Sequence, residues 1–239
     1  KSLVNKTIII FVLKLADFAL FITIALGLLM LFAYAFTSMD IPFRLYTNMH
    51  MFWGGLAWII LLIMAVSSQI IPMFYVTPIF SVKYLKILSI SFVISMLLLS
   101  IIEFIAIFTG GGYYSQNGFV HVVVEVTLSL CILFFSLYTL WIINQRKRKV
   151  KDVTINFWRL SLAMPVIAIS LYWINLIAPF IQNTKFELLM GILFVFGFAI
   201  SSIIGMMQKI VPFIIFMHLQ TLIMSHPEKM HLLPNMQTL

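Results

Sequence analysis

Six apolar stretches, each long enough to cross about 30 Å of hydrocarbon at 1.5 Å per residue, alternate with short polar segments along the chain. They cover residues 7–36, 48–72, 84–109, 118–143, 158–181 and 186–208. The runs are continuous and exceed 20 residues, whereas strands of a membrane barrel would alternate over about ten. The pattern therefore predicts an all-α, polytopic membrane helix bundle with six transmembrane helices, forming one transmembrane domain over residues 1–239. Pro72 is expected to close the second crossing, and Pro165 to kink the fifth. Residues 73–82, with two prolines and several aromatics, read as a short interfacial loop. The apolar segment 210–224, too short for a further crossing, reads as an interfacial helix ahead of a polar tail.

Polar positions between the runs set the expected direction. Arg146, Lys147, Arg148, Lys149, Lys151 and Arg159 lie between crossings four and five, and Lys83 and Lys86 between two and three. Lys1, Lys6 and Lys14 at the front and Lys209 and Lys229 at the back fall on that same side, leaving only Arg44 and Lys185 opposite. The positive-inside rule then places both termini in the cytoplasm, in an inner membrane. Lys14 and Asp17, three apart near the inner boundary, are expected to pair.

Composition sharpens the picture by exclusion. In 239 residues, 63% are hydrophobic and 9% charged, with 23 Phe. Soluble domains carry about 25% charged residues, so a soluble enzyme, a nucleic-acid binder and a disordered chain are all excluded. The net charge of +8 is accounted for by topology and contact with lipid headgroups rather than by nucleic acid. The single cysteine, Cys131, rules out a disulfide within the chain. The first apolar run is too long for a signal-peptide core and reads as a retained anchor. Because residue 1 is lysine rather than methionine, the chain is expected to be the C-terminal part of a longer one.

Ionisable groups inside a membrane are costly and point to function. Counted from the outer helix ends, His50, Glu103, His121 and Glu125 all fall within roughly 3–11 Å of the outer boundary. His121 and Glu125, spaced i and i+4, share a helical face. Two imidazoles on different helices at similar depth could be the axial ligands of a haem b, with Glu103 and Glu125 orienting them or handling protons. Trp53, Tyr113 and Tyr114 could line such a pocket, and Gly54 and Gly55 would allow a macrocycle or a neighbouring helix to come close. Equally, the histidines could bond headgroups, water or loop carbonyls, and the carboxylates could serve structural hydrogen bonds. Gly110–Gly112 reads as an outer turn.

The stretch His50-Met-Phe-Trp-Gly54-Gly55-Leu-Ala-Trp58, ending Ser68-Gln69-Ile-Ile-Pro72, resembles a haem-bearing helix of haem–copper oxidase subunit I, with His50, Gly54, Trp58 and Pro72 in matching positions. It is still more similar to a family of oxidase-subunit-I-like membrane proteins whose helix ends Gln-x-x-Pro-Met-Phe, as Gln69, Pro72, Met73 and Phe74 do. That family's last helix is similar to Lys209, Val211, Pro212, Phe213, His218 and Leu219. NnrS-like membrane proteins are a more distant comparison. The resemblance covers two helices of six and implies a haem-binding scaffold using His50, Gly54 and Trp58. Phe52 stands where the oxidases carry a second histidine, and no His-His pair or His–Tyr motif for a copper centre is present. Copper remains an option only through Met49-His50-Met51 or His218. His226-Pro227-Glu228 in the tail matches a fragment of that motif by coincidence.

The leading expectation is thus a haem-binding inner-membrane protein in electron transfer, or accessory to a respiratory or nitric-oxide-related system, working with an electron donor or other membrane subunits. Two readings compete with it: a proton-coupled transporter using Glu103, Glu125 and His121 as a relay and Pro165 as a hinge, and a cofactor-free structural subunit of a membrane complex.

Overall fold

The computed structural model describes residues 2–36, 41–108, 118–147, 152–178 and 183–224, and among them every regular element is a helix. We number them α1 (Ser2–Ala35), α2 (Phe43–Tyr75), α3 (Val82–Phe108), α4 (Phe119–Asn144), α5 (Val153–Ile177) and α6, which joins Asn183–Ile192, Leu193–Ile200 and Ser201–Met224. Each contains a stretch long and apolar enough to cross a membrane. Large apolar side chains such as Phe21, Leu31, Phe134 and Phe196 remain exposed, the surface that a bilayer rather than water would cover.

Many hydroxyl groups in these helices satisfy themselves locally, though the buried Ser136 and Ser202 hydroxyls have no hydrogen-bond partner. Thr23, Ser100, Thr127, Thr139, Ser170 and Thr221 each donate to the carbonyl four residues back, at 2.7–2.9 Å. Each turns a polar side chain inward onto its own helix, so it costs little in an apolar medium.

Several helix ends differ from those the hydropathy predicts. α2 starts at Phe43, directly after Pro42, and takes in Arg44–Asn48. It also runs through Pro72 to Tyr75. α6 passes Lys209 and Pro212 without a break and ends at Met224, so the expected interfacial segment 210–224 is the continuation of the sixth helix. The buried Pro165 likewise sits inside α5. Lys14 and Asp17 are both exposed and do not form the expected pair. Two π-helical segments, Phe52–Trp58 in α2 and Leu193–Ile200 in α6, widen the turn where glycines bring a neighbouring helix close.

The chain forms two compact units. The first gathers α1, most of α2, α3 and α4. In it the fully buried Trp53 stacks edge-on against Phe18 and donates its indole N–H to Ser100 Oγ at 2.9 Å, tying α2 to α1 and α3. Tyr84 Oη donates to the Phe134 carbonyl at 2.6 Å, and the rings of Phe80, Tyr84, Tyr138 and Trp141 pack together, tying α3 to α4. The second unit holds α5, α6 and Phe74–Val76. Asp152 caps α5 by accepting from the Thr154 N–H and hydroxyl, and its other oxygen pairs with Lys209 Nζ at 2.9 Å. Burial alone would raise the Asp152 carboxyl, but the Thr154 hydrogen bonds and the Lys209 ammonium outweigh it and hold it below its ordinary value. This pair explains why a lysine does not end α6. Tyr75 reaches Thr154 at 2.6 Å and Phe74 packs edge-on against Phe213. Val76 has φ of 50° and its carbonyl accepts from the Lys147 N–H at 3.2 Å.

Candidate functional site

The polar groups of the first unit separate by helix face. On α2, Leu45, Asn48, Met49 and Phe52 share one side, as spacings of three and four require. They line a cavity of about 100 Å³ together with Leu99 and Glu103 of α3 and His121 and Glu125 of α4. The i, i+4 spacing of His121 and Glu125 puts both on the inner face of α4. Glu103 meets them from α3.

His121 is the centre of this group. Its side chain is 7% exposed, while Glu103 and Glu125 retain 21% and 25%. The Nε2 atom lies 3.5 Å from Glu103 Oε1, and Nδ1 lies 3.8 Å from Glu125 Oε1. Nδ1 is fully buried with no hydrogen-bond partner. An orphaned nitrogen beside a carboxylate is costly unless a cation is shared between them. The arrangement is suited to taking up and releasing positive charge.

His50 lies elsewhere. One residue on from Met49 and two before Phe52, it turns to the α1 side, where its Nδ1–H donates to the Thr23 carbonyl at 2.9 Å. A Cβ on Gly27 of α1 would meet the His50 ring at 3.1 Å. One turn on, a Cβ on Gly54 would come within 2.8 Å of Thr23 Cγ2. His50 and Gly54 thus form the α1–α2 seam, and the space beside Gly54 is taken by Thr23 rather than open to a macrocycle. Trp53 faces Phe18 and Ser100, and Trp58 is half-buried further along α2. Met49 is buried and lines the cavity while Met51 is 56% exposed, so the two thioethers do not converge.

The four groups expected at one depth therefore resolve into a triad, His121, Glu103 and Glu125, and a separate His50. For haem, the fit is partial. His50 is not among the residues lining the cavity beside His121, so that cavity by itself offers a haem one imidazole rather than two. The Thr23 carbonyl fixes the proton of a neutral His50 on Nδ1 and leaves the Nε2 lone pair for ligation, the usual arrangement of a metal-binding histidine. Tyr113, Tyr114 and the glycine turn lie outside the described residues, as does the tail with His226. His218 is exposed on α6. Asn48, Thr23 and Gly27 were not singled out from sequence. The face shared by positions 45, 48, 49 and 52 carried the signal for Asn48; nothing in the sequence marks Thr23 or Gly27.

Compared with known proteins, the chain matches no family model, no curated protein and no solved structure.

Proposed function

We propose that this multi-pass membrane protein handles protons through His121, Glu103 and Glu125, as a proton-coupled carrier or the proton-handling subunit of a membrane complex. The observation that carries the reading is a buried imidazole held between two carboxylates from two helices at the edge of a small cavity. Ionisable groups in apolar spans are retained where charge must move, and such residues face a cavity or one another. The ionisable groups around the cavity are Glu103 from α3 and His121 and Glu125 from α4, while α2 contributes Asn48 and apolar side chains. With both termini in the cytoplasm of an inner membrane, as the lysine and arginine distribution favours, the triad sits in the outer leaflet.

The test is proton flux in proteoliposomes of the full chain, loaded with a pH-sensitive dye and given an imposed pH gradient. The reading expects flux through the unaltered protein and its loss in Glu125→Gln, Glu103→Gln and His121→Asn. Absence of flux in the unaltered protein, or equal flux in all four, would overturn it.

A second reading has one specific observation in its favour. The Nδ1–H bond from His50 to the Thr23 carbonyl leaves Nε2 as the coordinating nitrogen. A haem b held there would supply one-electron transfer, and the protein would serve a respiratory or nitric-oxide-related electron path, as the oxidase-like helix suggests. A reduced-minus-oxidised spectrum tests it. Haem bands lost in His50→Ala support it; a colourless preparation, or haem retained in that variant, ends it.

A further inference from the structure

We infer that the same cavity binds a divalent transition-metal cation between His121 Nδ1 and the Glu125 carboxylate. This rests on the reading of the triad as a cation-handling site and names a second cation for it. Glu103 lies nearer to the imidazole than Glu125 does, and it faces the other ring nitrogen, Nε2, at 3.5 Å. At that distance the carboxylate acts through its charge rather than a direct hydrogen bond: it favours the ring proton on the nearer nitrogen and leaves the lone pair on the opposite one. That opposite nitrogen, Nδ1, is the buried atom with no hydrogen-bond partner.

What faces the lone pair is another acceptor, Glu125 Oε1, at 3.8 Å. The gap exceeds the roughly 2.7–3.2 Å of a shared proton. It suits a bridging metal: bonds of about 2.0–2.2 Å to nitrogen and oxygen place two ligands about 3.4 Å apart at tetrahedral angles and about 4.2 Å apart when opposite. His121 and Glu125 stand at i and i+4 on α4, a spacing that lets two side chains on one helix chelate a single ion.

Charge favours a divalent ion over a monovalent one. A divalent cation offsets more of the negative charge that Glu103 and Glu125 can carry than a single proton does. In an apolar span that difference is large. Imidazole with carboxylate suits zinc, cobalt, nickel or manganese rather than the soft sites of Cu(I). The cavity of about 100 Å³ has room for a cation with a few waters, each occupying about 30 Å³ of liquid. Ligand pockets for organic molecules run to about 300–1,000 Å³. Asn48 is part of the cavity wall. In this arrangement His121 and Glu125 are ligands, and Glu103 is a positioning residue that fixes the tautomer.

Co2+ titration of the detergent-solubilised full chain tests the inference, read by the visible d–d absorption of the bound ion. One equivalent should bind and be displaced by Zn2+. Affinity should fall at least ten-fold in His121→Asn and Glu125→Gln, and about ten-fold in Glu103→Gln with the bands kept. Glu125→His, which replaces one ligand by another, should still bind with shifted bands, so the outcome does not depend on variants that fail to fold. No absorption, binding indifferent to His121 and Glu125, or unshifted bands in Glu125→His would each overturn the inference. Proton flux measured in parallel with a chelator present separates the two readings. Flux without Co2+ binding ends the metal site and leaves the proton reading; loss of both ends both.

Discussion

Adjacent glycines in α2 should respond in opposite senses to the same added methyl group. A Cβ on Gly54 would lie 2.8 Å from Thr23 Cγ2 and 3.5 Å from its Oγ1, whereas a Cβ on Gly55 meets nothing within 4 Å. Alanine is favoured over glycine inside a helix by about 0.5–1 kcal/mol. At Gly55 that gain stands alone. At Gly54 it is opposed by a contact about 1 Å inside the optimal carbon–carbon separation of roughly 3.5–4.0 Å. Thr23 cannot swing aside freely, because its hydroxyl donates to the Ala19 carbonyl at 2.8 Å and its χ1 is stiff. Overpacking of this kind costs about 1–3 kcal/mol. Gly54→Ala should therefore lose about 1–2 kcal/mol, and Gly55→Ala should be neutral or slightly stabilised. Thr23→Ser removes Cγ2 and keeps the hydroxyl, so combining it with Gly54→Ala should recover most of the loss. A double-mutant cycle from reversible unfolding in mixed micelles gives this coupling directly, at about 1 kcal/mol or more. Equal effects at the two glycines, or additive substitutions at Gly54 and Thr23, would refute the α1–α2 seam described above.

Two further predictions concern the second unit. The folded Asp152 carboxyl titrates below its unfolded value, so its contribution is complete above the ordinary carboxylate pKa of about 3.9 and is lost as pH falls through the lowered one. Melting in detergent from pH 7 down to acid should show this loss in the unaltered protein and a smaller one in Asp152→Asn, which keeps a capping side chain. Asp152→Ala should cost about 1 kcal/mol at neutral pH through the missing cap. A Val76 φ of 50° is strained for a β-branched side chain. Val76→Gly should raise stability by about 1 kcal/mol in the same melting assay, and an unchanged or lowered midpoint would show the strain to be absent.

Hydropathy reveals the six crossings because a span must be apolar along its whole length, and no other constraint in the chain is so long or so uniform. Helix ends are less legible, because prolines and charges mark boundaries only where nothing compensates them. Lys209 reads as an end until Asp152 is found opposite it, and Arg44–Thr47 read as loop although Pro42 already starts the helix. Counting residues along the crossings groups His50, Glu103, His121 and Glu125 near one set of helix ends. Their azimuth needed the partners: His121 meets Glu103 only because α3 lies beside α4 in the fold, and His50 turns away because Gly27 leaves room for its ring. The i, i+4 pairs His121–Glu125 and His50–Gly54 were both visible in the sequence, but not that they face different neighbours. The π-helical turns at Phe52–Trp58 and Leu193–Ile200 left no trace in the hydrophobic pattern.

Nitrogen-15 NMR of the histidine side chains tests the triad most directly, with the His121 signals identified by their loss in His121→Asn. The geometry predicts an imidazole carrying its proton on Nε2, with the larger shift on Nδ1 when Zn2+ is added. A His121 ring carrying its proton on Nδ1, or one indifferent to zinc, would contradict the reading of this cluster as a cation site.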